Sequence, residues 1–422
     1  MKEIQLIFLI SLGMILFSCE TLVEPTLDDR QKDKSLNPQQ FNYSTTKSID
    51  VNIRAEDEDK EPLDQVYFEI LKDDHLIATG QTNEEGILKN SISLPTYLDQ
   101  VTIKTHYDEK IVSISKSEIN YTYQSPKSTL SKSSGICCDG ENDHEDDDED
   151  GVPNCSDNFP HNPRCSNVLY YPSADQYATL AFEDKWPDKG DYDFNDLVLD
   201  YQFEIRYKQL LITEIKINFK VRASGARYNN GFGIEFPGLS NADIISVEGL
   251  QLSNDSYIEL NSNGTEANQS NPVIIPFDNV YTLFENLTYV NTGYSEGHNL
   301  PDYEFSVMVD TKPVYWYEIN YSFNFSPFMI IDGEREQEVH LAGGTPTDLG
   351  DQDPFYPDYK DENNMPWALN FPEKFYYPIE RADIRNAYLH FEEWRTSEGN
   401  QYDDWYSNPT SGYRDEDLIY GL

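Results

Sequence analysis

Ten carboxylates and no lysine or arginine occupy the stretch from Asp139 to Asn158. Within it Asp146, Asp148 and Asp150 alternate, Gly151 follows at once, and Asn154, Asp157 and Asn158 come next. Hard Ca²⁺ takes about six to eight oxygens at roughly 2.3–2.6 Å, and a short loop supplies them by bending alternate side chains inward around a glycine. The spacing D-x-D-x-D-G-x-x-N-x-x-D-N meets both needs, so Asp146, Asp148, Asp150, Asn154 and Asp157 are expected to hold Ca²⁺. A solvated acidic linker is the competing reading, because blocks of like charge ordinarily stay hydrated.

A second dense run lies between Phe182 and Asp200. Asp191, Asp193 and Asn195 alternate after Gly190, Asp196 adds a carboxylate, and Glu183, Asp184 and Asp188 precede them. In an extended or turn backbone the alternating oxygens converge while Tyr192 and Phe194 enter the core. Asp191, Asp193, Asn195 and Asp196 are therefore a second expected metal site, with Asx-type turn capping as the alternative. Trp186, just before this loop, is the tryptophan picked out as a stacking surface for a ligand; as a class, aromatic residues in β proteins favour the core.

Three resemblances accompany these runs. The first acidic run, with Pro160 and Asn162-Pro163, resembles a thrombospondin type 3 repeat, here as one copy and with Phe159 where such repeats often carry Cys. The stretch Phe182 to Tyr201, then Asn324 to Arg335, Glu338-Val339-His340-Leu341, Pro346-Thr347-Asp348, Asn363 to Ala368 and Trp405-Tyr406 resemble the LruC-domain family of bacterial surface lipoproteins. That likeness spans about 170 to 422 and implies an exported, membrane-anchored protein, often with a calcium-type loop before the domain; it implies no activity. Residues 46–124 are similar in strand order to transthyretin-like or carboxypeptidase-regulatory-like sandwiches.

The N-terminal sequence fits export. Lys2 precedes an apolar stretch from Ile4 to Phe17, and Ser18-Cys19 follows. About fourteen apolar-rich residues suit a signal peptide and are too few to span a bilayer. The small residue before Cys19 resembles a lipobox, which implies acylation of Cys19 and an outer-membrane lipoprotein with residues 1–18 removed and 19–45 as tether. An ordinary secretory signal is the alternative. The other cysteines, Cys137, Cys138, Cys155 and Cys165, flank the acidic loop and are expected to staple it through disulfides of undetermined pairing, with a four-thiolate zinc site as rival.

Formal charge is −45, from 76 acidic and 31 basic residues. Such a field disfavours nucleic acid and anionic headgroups and leaves divalent cations and neutral glycans as compatible partners. Period-two patterns at Ile49, Val51, Ile53, at Val66, Phe68, Ile70, at Leu197 to Ile205 and at Tyr303 to Val309 predict strands. Helical spacing occurs around Ile384, Ala387, Tyr388, Phe391 and Trp394, between Asp383 and Gly399. The expected fold is all-β: a small N-terminal β-sandwich (46–124), a linker with the calcium-type loop (125–167), and a larger antiparallel β-domain (168–422) with one or two late helices.

No H-E-x-x-H, G-x-S-x-G, P-loop or dinucleotide-binding glycine pattern is present. The expected function is a non-enzymatic, calcium-binding surface lipoprotein whose C-terminal domain binds a glycan or an extracellular protein. A calcium-stiffened spacer or surface-assembly subunit is the second reading, and a polysaccharide hydrolase, which needs only two carboxylates, is the third.

Overall fold

Two long alternating strands organise the molecule. Leu197–Lys208 and Leu211–Ala223 form an antiparallel hairpin in which Tyr201 faces Phe219, Phe203 faces Ile217 and Ile205 faces Ile215. The alternation buries the apolar set on one face, as the sequence predicts, but the opposite face is not wet throughout: Asp200 and Gln202 are buried as well. In this computed structural model residues 41–125, 145–225, 227–315 and 324–422 are described.

The hairpin extends on both edges. Leu211–Ala223 pairs with Tyr303–Tyr315, which pairs with Ile244–Glu248. Leu197–Lys208 divides its other edge: its first half pairs with Ala178–Phe182, which pairs with Ala368–Phe371, and its second half pairs with Asn167–Tyr171. A four-stranded antiparallel sheet, in the order Val273–Phe277, Gly231–Glu235, Ser326–Ile330 and Glu338–His340, packs Phe232, Ile234, Ile274 and Met329 into the same core, while Val273, Ile275, Phe328 and Ile330 form a separate small cluster. The fold is all-β with a few short helices, as expected.

The N-terminal strands are continuous with this sheet. Leu169 pairs with Ala78 of His75–Gln81, and the sheet runs on through Tyr67–Lys72, Gln100–Lys104 and Glu109–Ser113. A three-stranded sheet covers them: Thr46–Glu56 pairs antiparallel with Ile87–Pro95 and parallel with Glu118–Gln124. Its Ile49, Val51 and Ile53 meet Phe68, Ile70, Val101 and Ile103 in a core that continues to Phe203 and Phe219. Pro38–Leu422 is one compact unit, so the composition shift near residue 125 marks no break in the core.

The late helix is two short pieces, Ile384–Ala387 and Phe391–Thr396. Asp383 caps the first by accepting Arg385 N–H, as predicted. The break falls at Tyr388 because its backbone bridges to Arg414 and Leu389 N–H donates to Tyr413 carbonyl, which competes with helical bonding. Tyr388, Phe391, Trp394, Trp405, Phe371 and Phe375 form a second, aromatic core here. Phe371 and Phe375 stack with centroids 4.0 Å apart.

Candidate functional site

The second acidic run forms a largely buried polar centre. Phe182 and Leu197 are paired on adjacent strands, so the loop between them starts and ends at one place and puts Glu183 beside Asp196. Asp184 N–H donates to Asp196 Oδ2 at 2.8 Å, closing that neck. Within the loop Tyr192 and Phe194 take positive φ of 64° and 52° while their side chains are buried. Such left-handed non-glycine residues cost on the order of 1–3 kcal/mol each and persist only where surrounding packing holds them. The result is that Asp191, Asp193 and Asn195 turn together, away from the aromatic pair.

Glu183, Asp191 and Asp193 bring a carboxylate oxygen each to within 4.8 Å of one another. Glu183 Oε1 accepts Phe194 N–H at 2.7 Å, and Asp193 Oδ2 accepts Arg381 N–H at 2.6 Å. Glu183 Oε2 and Asn195 Oδ1 are buried oxygens without a hydrogen-bond donor. Burial pushes Glu183 up to about 8, helped by the Asp191 charge. Asp193 is raised by burial and then by Glu183, and Asp196 by burial and then by Asp184. Glu380 rises to about 7 through burial and Asp191, against the opposing charge of Arg381. Mutually repelling acids with orphaned oxygens are the donor set a hard cation satisfies.

Two glycines make the space. A Cβ at Gly190 would stand 1.8 Å from Glu183 Oε2, and one at Gly225 would stand 2.1 Å from Asn195 Oδ1. Gly190→Ala is therefore expected to displace the Glu183 carboxylate and, if this centre takes Ca²⁺, to weaken that binding at least about tenfold, with charge unchanged. A Ca²⁺ titration that left affinity intact would remove Glu183 from the ligand set.

The first acidic run also turns alternate residues inward. Asp146, Asp148 and Asp150 are half-buried while Glu145, Asp147 and Glu149 are exposed, and the three inner carboxylates converge within 4.8 Å. Gly151, at φ 89°, donates its N–H to Asp146 Oδ2 at 2.9 Å. Asn154 Oδ1 accepts Asp147 N–H at 3.0 Å and so closes the loop. Asp157 Oδ1 accepts Phe159 N–H at 2.6 Å, while its Oδ2 and Asp148 Oδ2 are buried without a donor. Burial raises Asp157 to about 6, and the charges of Asp150, Asp148 and Asp146 add to the rise. Lys208 Nζ approaches Asp150 Oδ2 at 3.2 Å, tying the loop to the long hairpin.

Two expectations need correction. Cys165 is a free, fully buried thiol, so the four cysteines do not all staple the loop; its place beside Ser166 and Asn167 at the start of a strand puts it in the core. Cys155 is disulfide-bonded; Cys19, Cys137 and Cys138 lie outside the described residues. Trp186 offers no exposed stacking face. It is buried, 5.5 Å from Tyr359 between ring centroids, because the loop folds it inward against the strand layer.

Sequence reading placed Glu183 beside the second run without counting it as a ligand, and missed Glu380. Glu183 could have been found from its position directly after an apolar strand; Glu380 is distant in sequence and carries no local signal. It also missed a closed ionic network. Arg335 donates to Glu266 Oε1 at 2.5 Å and Oε2 at 2.6 Å and also pairs with Glu338. Glu338 Oε2 lies 2.7 Å from His340 Nε2 and accepts Thr347 N–H at 2.8 Å. His340 is thus a buried strand histidine engaged with a carboxylate.

With an all-β scaffold and two carboxylate centres established, the comparisons place parts of the chain. Residues 211–406 match a family model described as "Domain of unknown function (DUF4842)", and residues 47–122 match "Domain of unknown function (DUF8469)". A Bacteroides ovatus crystal structure, described as that of a candidate lipoprotein, is similar in fold with a TM-score of 0.54 at 15% identity, over 84% of this chain and 99% of that chain. A major pilin subunit of Bacillus cereus covers 77% of this chain and 67% of its own at 8% identity, but its TM-score of 0.14 carries no structural likeness. No curated protein matches the chain. Among the described residues no helix is long and apolar enough to cross a membrane.

Proposed function

We propose that this protein is a non-enzymatic, calcium-binding surface lipoprotein, anchored to the outer membrane through Cys19, whose C-terminal β-domain binds a glycan or an extracellular protein. The observation that carries the calcium reading is the pair of orphaned oxygens, Glu183 Oε2 and Asn195 Oδ1, buried among like-charged carboxylates. Glu183, Asp191, Asp193 and Asn195 would hold the ion at this centre, and Asp146, Asp148, Asp150 and Asp157 a second ion in the other loop. Calcium there neutralises buried charge and fixes loop geometry; no reaction step is assigned to it.

At about 1 mM Ca²⁺ and a dissociation constant near 10 µM, each site adds roughly 2.7 kcal/mol by mass action. Chelation is expected to lower the melting temperature by several degrees, and readdition of Ca²⁺ to restore it. A melting curve indifferent to chelator would remove the calcium reading.

A second reading, a calcium-stiffened spacer, is favoured by the anchoring of the first loop. Thr79 donates to Asn158 at 2.8 Å and Gln81 to Ser156 carbonyl at 2.8 Å, while Arg164 donates to Asp310 at 2.6 Å. The loop thus ties the N-terminal strands to the central sheet. If stiffening is its role, chelation increases motion of the N-terminal strands against the central sheet in solution scattering and leaves ligand contacts intact.

A further inference from the structure

The second carboxylate centre opens into a cleft of about 510 Å³ whose walls combine Asp184, Asp191, Asp196 and Glu380 with Lys185, Lys189, Arg227 and Arg381. Four cations at one cleft are a marked local concentration in a chain with 76 acidic and 31 basic residues. All four are seated on tyrosine rings. Lys185 Nζ lies 4.6 Å from the Tyr228 centroid and donates to its hydroxyl at 3.3 Å. Lys189 lies 5.1 Å from Tyr192, Arg227 6.0 Å from Tyr289 and Arg381 5.6 Å from Tyr294. Each ring face attracts its cation and limits where the long side chain can swing.

The rim contrasts with basic residues elsewhere, such as Arg206, which is committed to Glu204 and Glu214. Arg381 alone of the four has a carboxylate within ion-pair distance among the described residues, Glu380 at 3.7 Å. The arrangement therefore presents charge to the cleft. Below the rim, Glu183, Asp191, Asp193 and Asn195 offer fewer oxygens than the roughly six to eight that Ca²⁺ takes if each carboxylate gives one. Asp191 is the exposed member of the triad, which sets the incomplete side of the shell toward the cleft.

We propose that this cleft binds an acidic saccharide, a uronate whose carboxylate completes the calcium shell while Lys185, Arg227 and Arg381 meet its remaining oxygens. The inference rests on the calcium reading. Carboxylate and hydroxyl are both hard oxygen donors, and the carboxylate's charge makes it the stronger ligand for Ca²⁺; the tyrosine and basic groups of the wall supply hydrogen-bond donors for the sugar's other oxygens.

The test is calorimetric titration of the purified protein at 1 mM Ca²⁺ with an oligogalacturonate, its neutral methyl ester, and an acidic peptide, together with Ca²⁺ titration of each protein. The expected result is oligogalacturonate binding that chelator abolishes, at least tenfold tighter than the ester or the peptide. Lys185→Ala/Arg227→Ala should weaken it at least tenfold and leave the Ca²⁺ titration unchanged. Equal binding of the ester or peptide, undiminished binding by the double variant, or calcium binding without saccharide binding would overturn this inference alone. Absence of calcium binding in the parent would overturn both.

Discussion

Glu183→Gln is expected to change the stability of this protein in opposite directions with and without calcium. Without metal, burial and the Asp191 charge push Glu183 up to about 8, and similar crowding raises Glu380 to about 7 and Asp157 to about 6. A carboxyl whose folded value lies above its ordinary one favours folding fully below that ordinary range, and this contribution is lost as pH rises through the folded value. The metal-free protein should therefore melt higher at pH 5.5 than at pH 8. Glutamine is neutral throughout, so the variant should lose much of this dependence and, at pH 8 without metal, exceed the parent by about 1–2 kcal/mol. In saturating calcium the order reverses, because the variant forfeits roughly 2.7 kcal/mol of mass-action stabilisation at one hundred times the dissociation constant. Thermal melts at both pH values, with chelator and with calcium, check this. A variant destabilised equally in all four conditions would make Glu183 a packing residue.

Glu338→Ala should have the largest effect on the fold itself. Its buried carboxylate serves Arg335, His340 and Thr347 together. Burial alone would push Glu338 up, but the His340 hydrogen bond and charge, then Arg335 and the Thr347 hydroxyl, outweigh it and hold the group near 2. A lowered carboxyl contributes stability above its ordinary range that is lost as pH falls through the folded value. Removal leaves buried donors unpaired, at a cost of about 3–5 kcal/mol near neutral pH. Urea unfolding should show this as a lower midpoint, with the difference narrowing toward pH 2 and calcium binding preserved in the folded variant. An unfolding free energy within about 1 kcal/mol of the parent's would mean that the network is dispensable.

The strands and the carboxylate spacing were legible because both are local patterns. Alternation at Leu197 to Ile205 predicts the strand and its apolar face, although contacts from other segments also bury Asp200 and Gln202 on the opposite face, and alternation at Asp146 to Asp150 or Asp191 to Asn195 turns oxygens one way. What remained hidden depends on contacts between distant segments. Ala78 meeting Leu169 merges the N-terminal strands with the central sheet across an acidic stretch that reads as a linker. Glu380 joins Asp191 across roughly three-quarters of the C-terminal domain, and no periodicity points to it. Trp186 beside a polar loop suggests exposure, yet Tyr359, from another part of the chain, covers it. The late helix kept its cap at Asp383 but broke at Tyr388, where Arg414 and Tyr413 supply bonding partners that helical spacing cannot anticipate.

The most direct measurement is a calorimetric Ca²⁺ titration of the purified protein, repeated with Asp148→Ala/Asp150→Ala and with Asp191→Ala/Asp193→Ala. Two binding steps in the parent, with a different one lost in each double variant, is the predicted result; a parent that takes up no calcium would contradict the account.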